Sequence, residues 1–242
     1  MIVGIIFGFN SKEPVLGIVG GFGPETTAEF FSKVLALSKI KKFRPKIIIV
    51  NAAVPELLEK QGIKEDVRPL LPVVADCIHR LNAADADFIV IPCNTLHLLI
   101  DELRALSKKP ILSIVDVAVS ELKNKCVSNV GLLGTTTTIK SCMFQNAFAK
   151  AGIDTLIPTE NEQNMILSAI ENVLQTGIAQ KSDVTKVKQV IKNLKERGVQ
   201  CILLACTDLQ LLVSGEECVF DTLDLLAKAS VNNLIKANAN SC

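Results

Sequence analysis

Apolar and polar positions alternate along this chain in blocks, with short apolar runs followed by longer amphipathic stretches. The runs at 16–19, 46–50, 88–91 and 111–114 read as buried strands. Helical spacing follows at 24–38, from about 67 to 82, and over 95–106. The first helix has Pro24 in its first turn and a Thr26-x-x-Glu29 capping signal. From 129 the order repeats: strand 129–133, helix 139–151, strand 154–157, helices 162–175 and 182–197, and strand 201–204. Such alternation predicts an α/β fold of two pseudo-symmetric domains, each a mostly parallel sheet flanked by helices. The expected division is 1–117 with 220–242 for the first domain and 118–219 for the second.

The halves match in spacing as well as order. Gly17 and the turn Gly20-Gly21-Phe22-Gly23-Pro24 open the first, and Gly131 with Gly134-Thr135 and Thr138 opens the second. Cys93 closes the run at 88–91 and Cys206 the run at 201–204. Gly17 to Cys93 is 93 − 17 = 76 positions, and Gly131 to Cys206 is 206 − 131 = 75. This agreement predicts a duplicated domain. Ligands of open α/β sheets sit beyond the carboxyl ends of the strands, so both cysteines are expected to face one interdomain cleft. A thiol between a strand and a following helix lies near unpaired N–H groups, which is expected to favour thiolate.

Bulk composition narrows the classes. The 242 residues are 49% hydrophobic with a net charge of +1 and no Trp or Tyr. This leaves no electrostatic footprint or stacking platform for nucleic acid, and no apolar run reaches the length of a membrane span. Eight cysteines without framework spacing point to free thiols and a reducing cytoplasm rather than disulfides. The default for Cys77, Cys126, Cys142, Cys201, Cys218 and Cys242 is a core thiol. His79 and His97 lack zinc-ligand spacing, so no metal is expected. The apolar start, 1–9, lacks the basic region of a signal peptide and reads as an added edge strand, a dimer contact or an appended extension.

Three motifs together, Gly20-Gly21-Phe22-Gly23-Pro24, Pro92-Cys93-Asn94-Thr95-Leu96-His97 and Leu204-Ala205-Cys206-Thr207-Asp208, resemble those of the aspartate/glutamate racemase family. The resemblance runs from about 16 to 235. It implies a cofactor-independent amino-acid racemase, without pyridoxal phosphate, that is commonly a homodimer and binds a small amino acid between its domains. It also implies roles: one of Cys93 and Cys206 removes the α-proton as thiolate while the other protonates the opposite face, as inversion by proton transfer requires. Gly23, Asn94, Thr95, Thr135, Thr138 and Thr207 are the candidate substrate-binding residues, placed to stabilise charge developing on the carboxylate. His97, Glu56, Asp208 and Gln175 are further candidates. His97 reads equally as a half-buried histidine, Asp208 as a dipole partner, and Thr207-x-x-Gln210 as a capping box.

The chain departs from the family pattern at Phe22, Ala205, Asp208 and Gln210. Leu57 and Gln175 stand where aspartate racemases commonly carry basic residues, so a distal carboxylate would lack a partner worth about 1.5–3 kcal/mol per hydrogen bond. Alternative readings are a hydantoin racemase, an arylmalonate-type decarboxylase and a non-catalytic amino-acid-binding protein.

Overall fold

The computed structural model describes residues 13–55, 62, 64–213 and 216–239. The apolar N-terminal stretch 1–9, Glu56, Leu57 and Cys242 lie outside them. The described elements run β1 (Val15–Gly20), α1 (Pro24–Ile40), β2 (Lys46–Asn51), α2 (Leu71–Ala83), β3 (Phe88–Val90), α3 (Ile100–Leu106), α4 (Ile114–Asn124), β4 (Asn129–Gly134), α5 (Thr136–Lys140), α6 (Met143–Lys150), β5 (Asp154–Leu156), α7 (Glu160–Thr176), α8 (Lys181–Glu196), β6 (Cys201–Ala205), β7 (Val219–Asp221) and α9 (Thr222–Ala239).

Two parallel sheets form, with orders β2-β1-β3 and β5-β4-β6-β7. The first carries a vestige of a fourth strand, the single bridge between Ile89 and Ile111, so the two orders correspond. Gly17 pairs with Ile89 on β3, and Gly131 with Ile202 on β6. Cys93 lies 93 − 89 = 4 residues beyond its pairing position and Cys206 lies 206 − 202 = 4 beyond its own. The thiols therefore occupy equivalent register positions of the two sheets.

The central strands β1, β3, β4 and β6 are apolar and almost wholly buried because both faces are covered, whereas the edge strands β2 and β5 are half-exposed. Along β6 and the residue after it, Cys201, Leu203 and Ala205 enter one hydrophobic cluster while Ile202, Leu204 and Cys206 enter another. On β3, Phe88 and Val90 join the first of these, and Ile89 with Ile91 a third. This period-two division leaves one cluster shared by both halves, containing Leu16 and Phe30 together with Val130, Phe144 and Phe148. Helix α9 returns from the second sheet to pack on α1 and α4.

Several sequence expectations need correction. Segment 111–114 makes one bridge rather than a strand, because Ser113 caps α4 by accepting from the Asp116 N–H at 3.1 Å. The helix expected over 139–151 is two, broken where Cys142 takes a left-handed φ of 58°. Gly23, at φ 82°, is the N-cap of α1 and Thr26 caps nothing. Cys77 and Cys201 are buried, but Cys126, Cys142 and Cys218 are exposed, each with positive φ. Among the described residues, no two cysteines are joined in a disulfide. Among the described residues, no helix is long and apolar enough to cross a membrane.

Candidate active site

Cys93 and Cys206 line one narrow cavity of about 30 Å³ with Phe22, Asn94, Thr95, Thr135, Thr207 and Asp208. Each cysteine is delivered by a strand that ends abruptly, and each is followed by a tight 3-10 turn, at Thr95–Leu99 and Thr207–Leu212. A 3-10 turn sums fewer aligned peptide dipoles than an α-helix, which weakens the stabilisation expected for thiolate. At Cys206 the expectation fails outright. Burial, the neighbouring Asp208 and the proximity of Cys93 push its thiol well above the ordinary range.

Asp208 is buried beside it and accepts from both sides. The Cys206 thiol donates to Oδ2 at 3.6 Å and the Thr26 hydroxyl donates to Oδ1 at 2.7 Å. Burial raises the Asp208 pKa, with Glu25 adding to the rise, while the Thr26 and Cys206 hydrogen bonds oppose it. Thr26 lies 182 residues away in sequence, on the first turn of α1. Gly23 starts that turn, and a Cβ there would lie 3.3 Å from Asp208 Oδ1. Thr26 escaped the sequence reading because its capping signal was local, whereas its partner is supplied only by the fold.

Hydroxyls fasten the halves around the cavity. Thr135 donates to the Thr138 hydroxyl at 2.9 Å, and Thr95 lies 3.3 Å from both. Thr207 donates to the Pro92 carbonyl at 3.5 Å, and Cys206 at the N-cap makes no side-chain cap, so no capping box forms there. Asn94 donates through Nδ2 to Thr222 at 2.9 Å, and Thr222 donates to the Leu204 carbonyl. Asn94 Oδ1 is buried at the cavity with no hydrogen-bond partner among the described residues. A buried acceptor left open in this way is costly unless a ligand completes it.

The remaining candidates stand apart. The His97 Nε2 accepts from the Ile114 N–H at 3.1 Å, which leaves Nδ1–H to donate to the Cys93 carbonyl at 2.9 Å. Burial lowers its pKa to about 4, so it is a neutral support beneath Cys93. Gln175 is exposed and does not line the cavity, whereas its neighbour Leu174 does. Glu56 lies outside the described residues.

A family model described as Asp/Glu/Hydantoin racemase matches residues 19–229. The broad specificity amino-acid racemase RacX of Bacillus subtilis is 26% identical over 235 residues, covering 91% of this chain and 98% of that one. The structure of Picrophilus torridus aspartate racemase aligns with a TM-score of 0.78 at 26% identity, over 91% of this chain and 94% of the other. Glutamate racemase from Francisella tularensis, solved with D-glutamate, shares the fold at a TM-score of 0.68 and 16% identity, over 94% of this chain and 82% of that one.

Proposed function

The chain belongs to the Asp/Glu/hydantoin racemase family, and from that premise we propose that it inverts amino-acid stereocentres by a two-thiol proton exchange without a cofactor. The observation that carries this reading is that Cys93 and Cys206, from equivalent register positions of two sheets, line one cavity. In the proposed cycle Cys206 begins as the protonated thiol, held so by burial and by the Asp208 carboxylate. Cys93 takes the α-proton, Cys206 protonates the opposite face, and the roles reverse for the other enantiomer. Asp208 orients the Cys206 proton and stabilises it between turnovers.

Asn94 Oδ1 is the acceptor for the substrate ammonium. The Thr95, Thr135 and Thr207 hydroxyls and nearby backbone N–H groups steady the carboxylate as charge moves onto it. Thr138 backs Thr135 and Thr95 from behind the cavity wall. Relatives named as a broad specificity amino-acid racemase and as glutamate racemases span broad and narrow specificities, so family membership alone leaves the side chain open. We extend the proposal to a homodimer, checked by analytical ultracentrifugation: a monomer at micromolar concentration refutes that part alone.

The test is α-deuterium incorporation. Single enantiomers are incubated with enzyme in deuterated water without added cofactor, and the product is analysed by mass and by chiral separation. Exchange with racemisation is expected, and Cys93→Ser and Cys206→Ser are each expected to lose about 10²-fold or more. A near-wild-type rate in either variant rules out the two-thiol assignment.

A further inference from the structure

We propose that the substrate of this site carries a neutral, apolar side chain rather than a second carboxylate; the inference rests on the racemase reading and adds the substrate class to it. Beyond the polar groups that engage the α-carbon substituents, the cavity wall is Phe22, Val67, Leu70, Leu96 and Leu174. No lysine or arginine is among the described lining residues, and the one carboxylate there is Asp208. Among the described residues, the cations nearest to the lining along the chain are engaged elsewhere. Lys64 pairs with Glu171, and Arg68 lies 3.4 Å from Glu102.

A distal carboxylate entering this wall would meet two penalties together. It would exchange water for aliphatic carbon without a charged partner, which a buried anion tolerates poorly. It would approach the Asp208 carboxylate, whose pKa is already raised by burial and by Glu25. An apolar side chain meets neither and gains by burial against the same residues. The Thr95, Thr135 and Thr207 hydroxyls are taken by the α-carboxylate in the proposed complex, so they are not left over for a distal anion.

The experiment compares L-leucine, L-methionine, L-glutamate and L-aspartate by initial α-deuterium exchange in deuterated water. Expected is a kcat/KM for leucine or methionine at least tenfold above that for either acidic substrate. Equal or faster exchange of glutamate or aspartate overturns this inference and leaves the racemase reading standing. Absence of exchange with all four overturns the racemase reading and the inference with it. Leu174 lines the cavity and is only half-buried, so Leu174→Lys supplies the missing cation. That variant is expected to lower the leucine-to-glutamate ratio at least tenfold. An unchanged ratio in a variant with wild-type circular dichroism overturns the assignment of this wall as the side-chain subsite.

Discussion

Thr26 is the residue whose role differs most from its local sequence. A hydroxyl at the third position of a helix has nothing to cap, yet here it holds the carboxylate that faces Cys206. Removing it by Thr26→Val leaves Asp208 Oδ1 without its donor. The Thr26 hydrogen bond lowers the Asp208 pKa, so its loss raises that pKa further and the carboxylate is protonated at higher pH. If ionised Asp208 orients the Cys206 proton, the acidic limb of kcat/KM moves to higher pH by about one unit, the scale of a charge-assisted hydrogen bond. Thr26→Ser, which keeps the hydroxyl, is expected to restore the wild-type limb. A Thr26→Val profile that only falls in amplitude would show that Thr26 acts on packing alone.

Among elements, the join between the Thr95–Leu99 turn and α4 carries a pH-dependent stability. His97 is neutral when folded, with a pKa of about 4, against an ordinary 6.5 when unfolded. A lowered folded pKa means that stability is complete above the unfolded value and declines as pH falls from 6.5 towards 4. At pH 5 the unfolded chain has bound the proton and the folded one has not, a loss of about 2 kcal/mol relative to pH 7. Asp221, raised to about 7 by burial, acts in the opposite sense over the same range, so the comparison must be with a variant. His97→Phe strands the Ile114 N–H and the Cys93 carbonyl, and is expected to cost about 2 kcal/mol or more at pH 7. It should also lose less stability than wild type between pH 7 and 5, as followed by urea denaturation and far-ultraviolet circular dichroism. Identical pH dependence of the two proteins would show that the imidazole does not carry the effect.

The same scale shows what the sequence made legible. Strands bracketed by glycine turns and cysteines were readable because covered parallel strands are continuous apolar runs. The break at Cys142 was not, since nothing apolar or polar in that stretch marks a left-handed residue. Helix α7 begins at Glu160 because Thr159 and Glu162 form a reciprocal capping box, a local signal that lies just ahead of the apolar pattern starting at 162. Cys93 and Cys206 were identifiable from spacing. The thiol environment was not, because burial outweighs position at the end of a strand, and burial is a property of the assembled halves.

For the whole molecule, the decisive feature is the hydrophobic cluster that the halves share. Leu16, Ile18 and Phe30 from the first sheet and its helix lie in the same cluster as Val130, Phe144, Phe148 and Leu203 from the second, with Leu226 and Leu234 of α9 among them. Two domains built on separate cores would open independently, whereas a common core couples their stabilities. Proton exchange between two thiols supplied by different halves gains from that coupling, because a shift of about 1 Å between them is costly in rate. Phe148 is fully buried in the shared cluster, and Phe148→Ala is expected to destabilise the protein by about 3–5 kcal/mol. Hydrogen exchange read by mass spectrometry should then show amide protection falling by similar factors in β1 and in β4, although Phe148 lies in the second half alone. Faster exchange confined to β4, β5 and β6 would mean that the halves unfold separately, and the shared cluster would then be a contact surface rather than a common core.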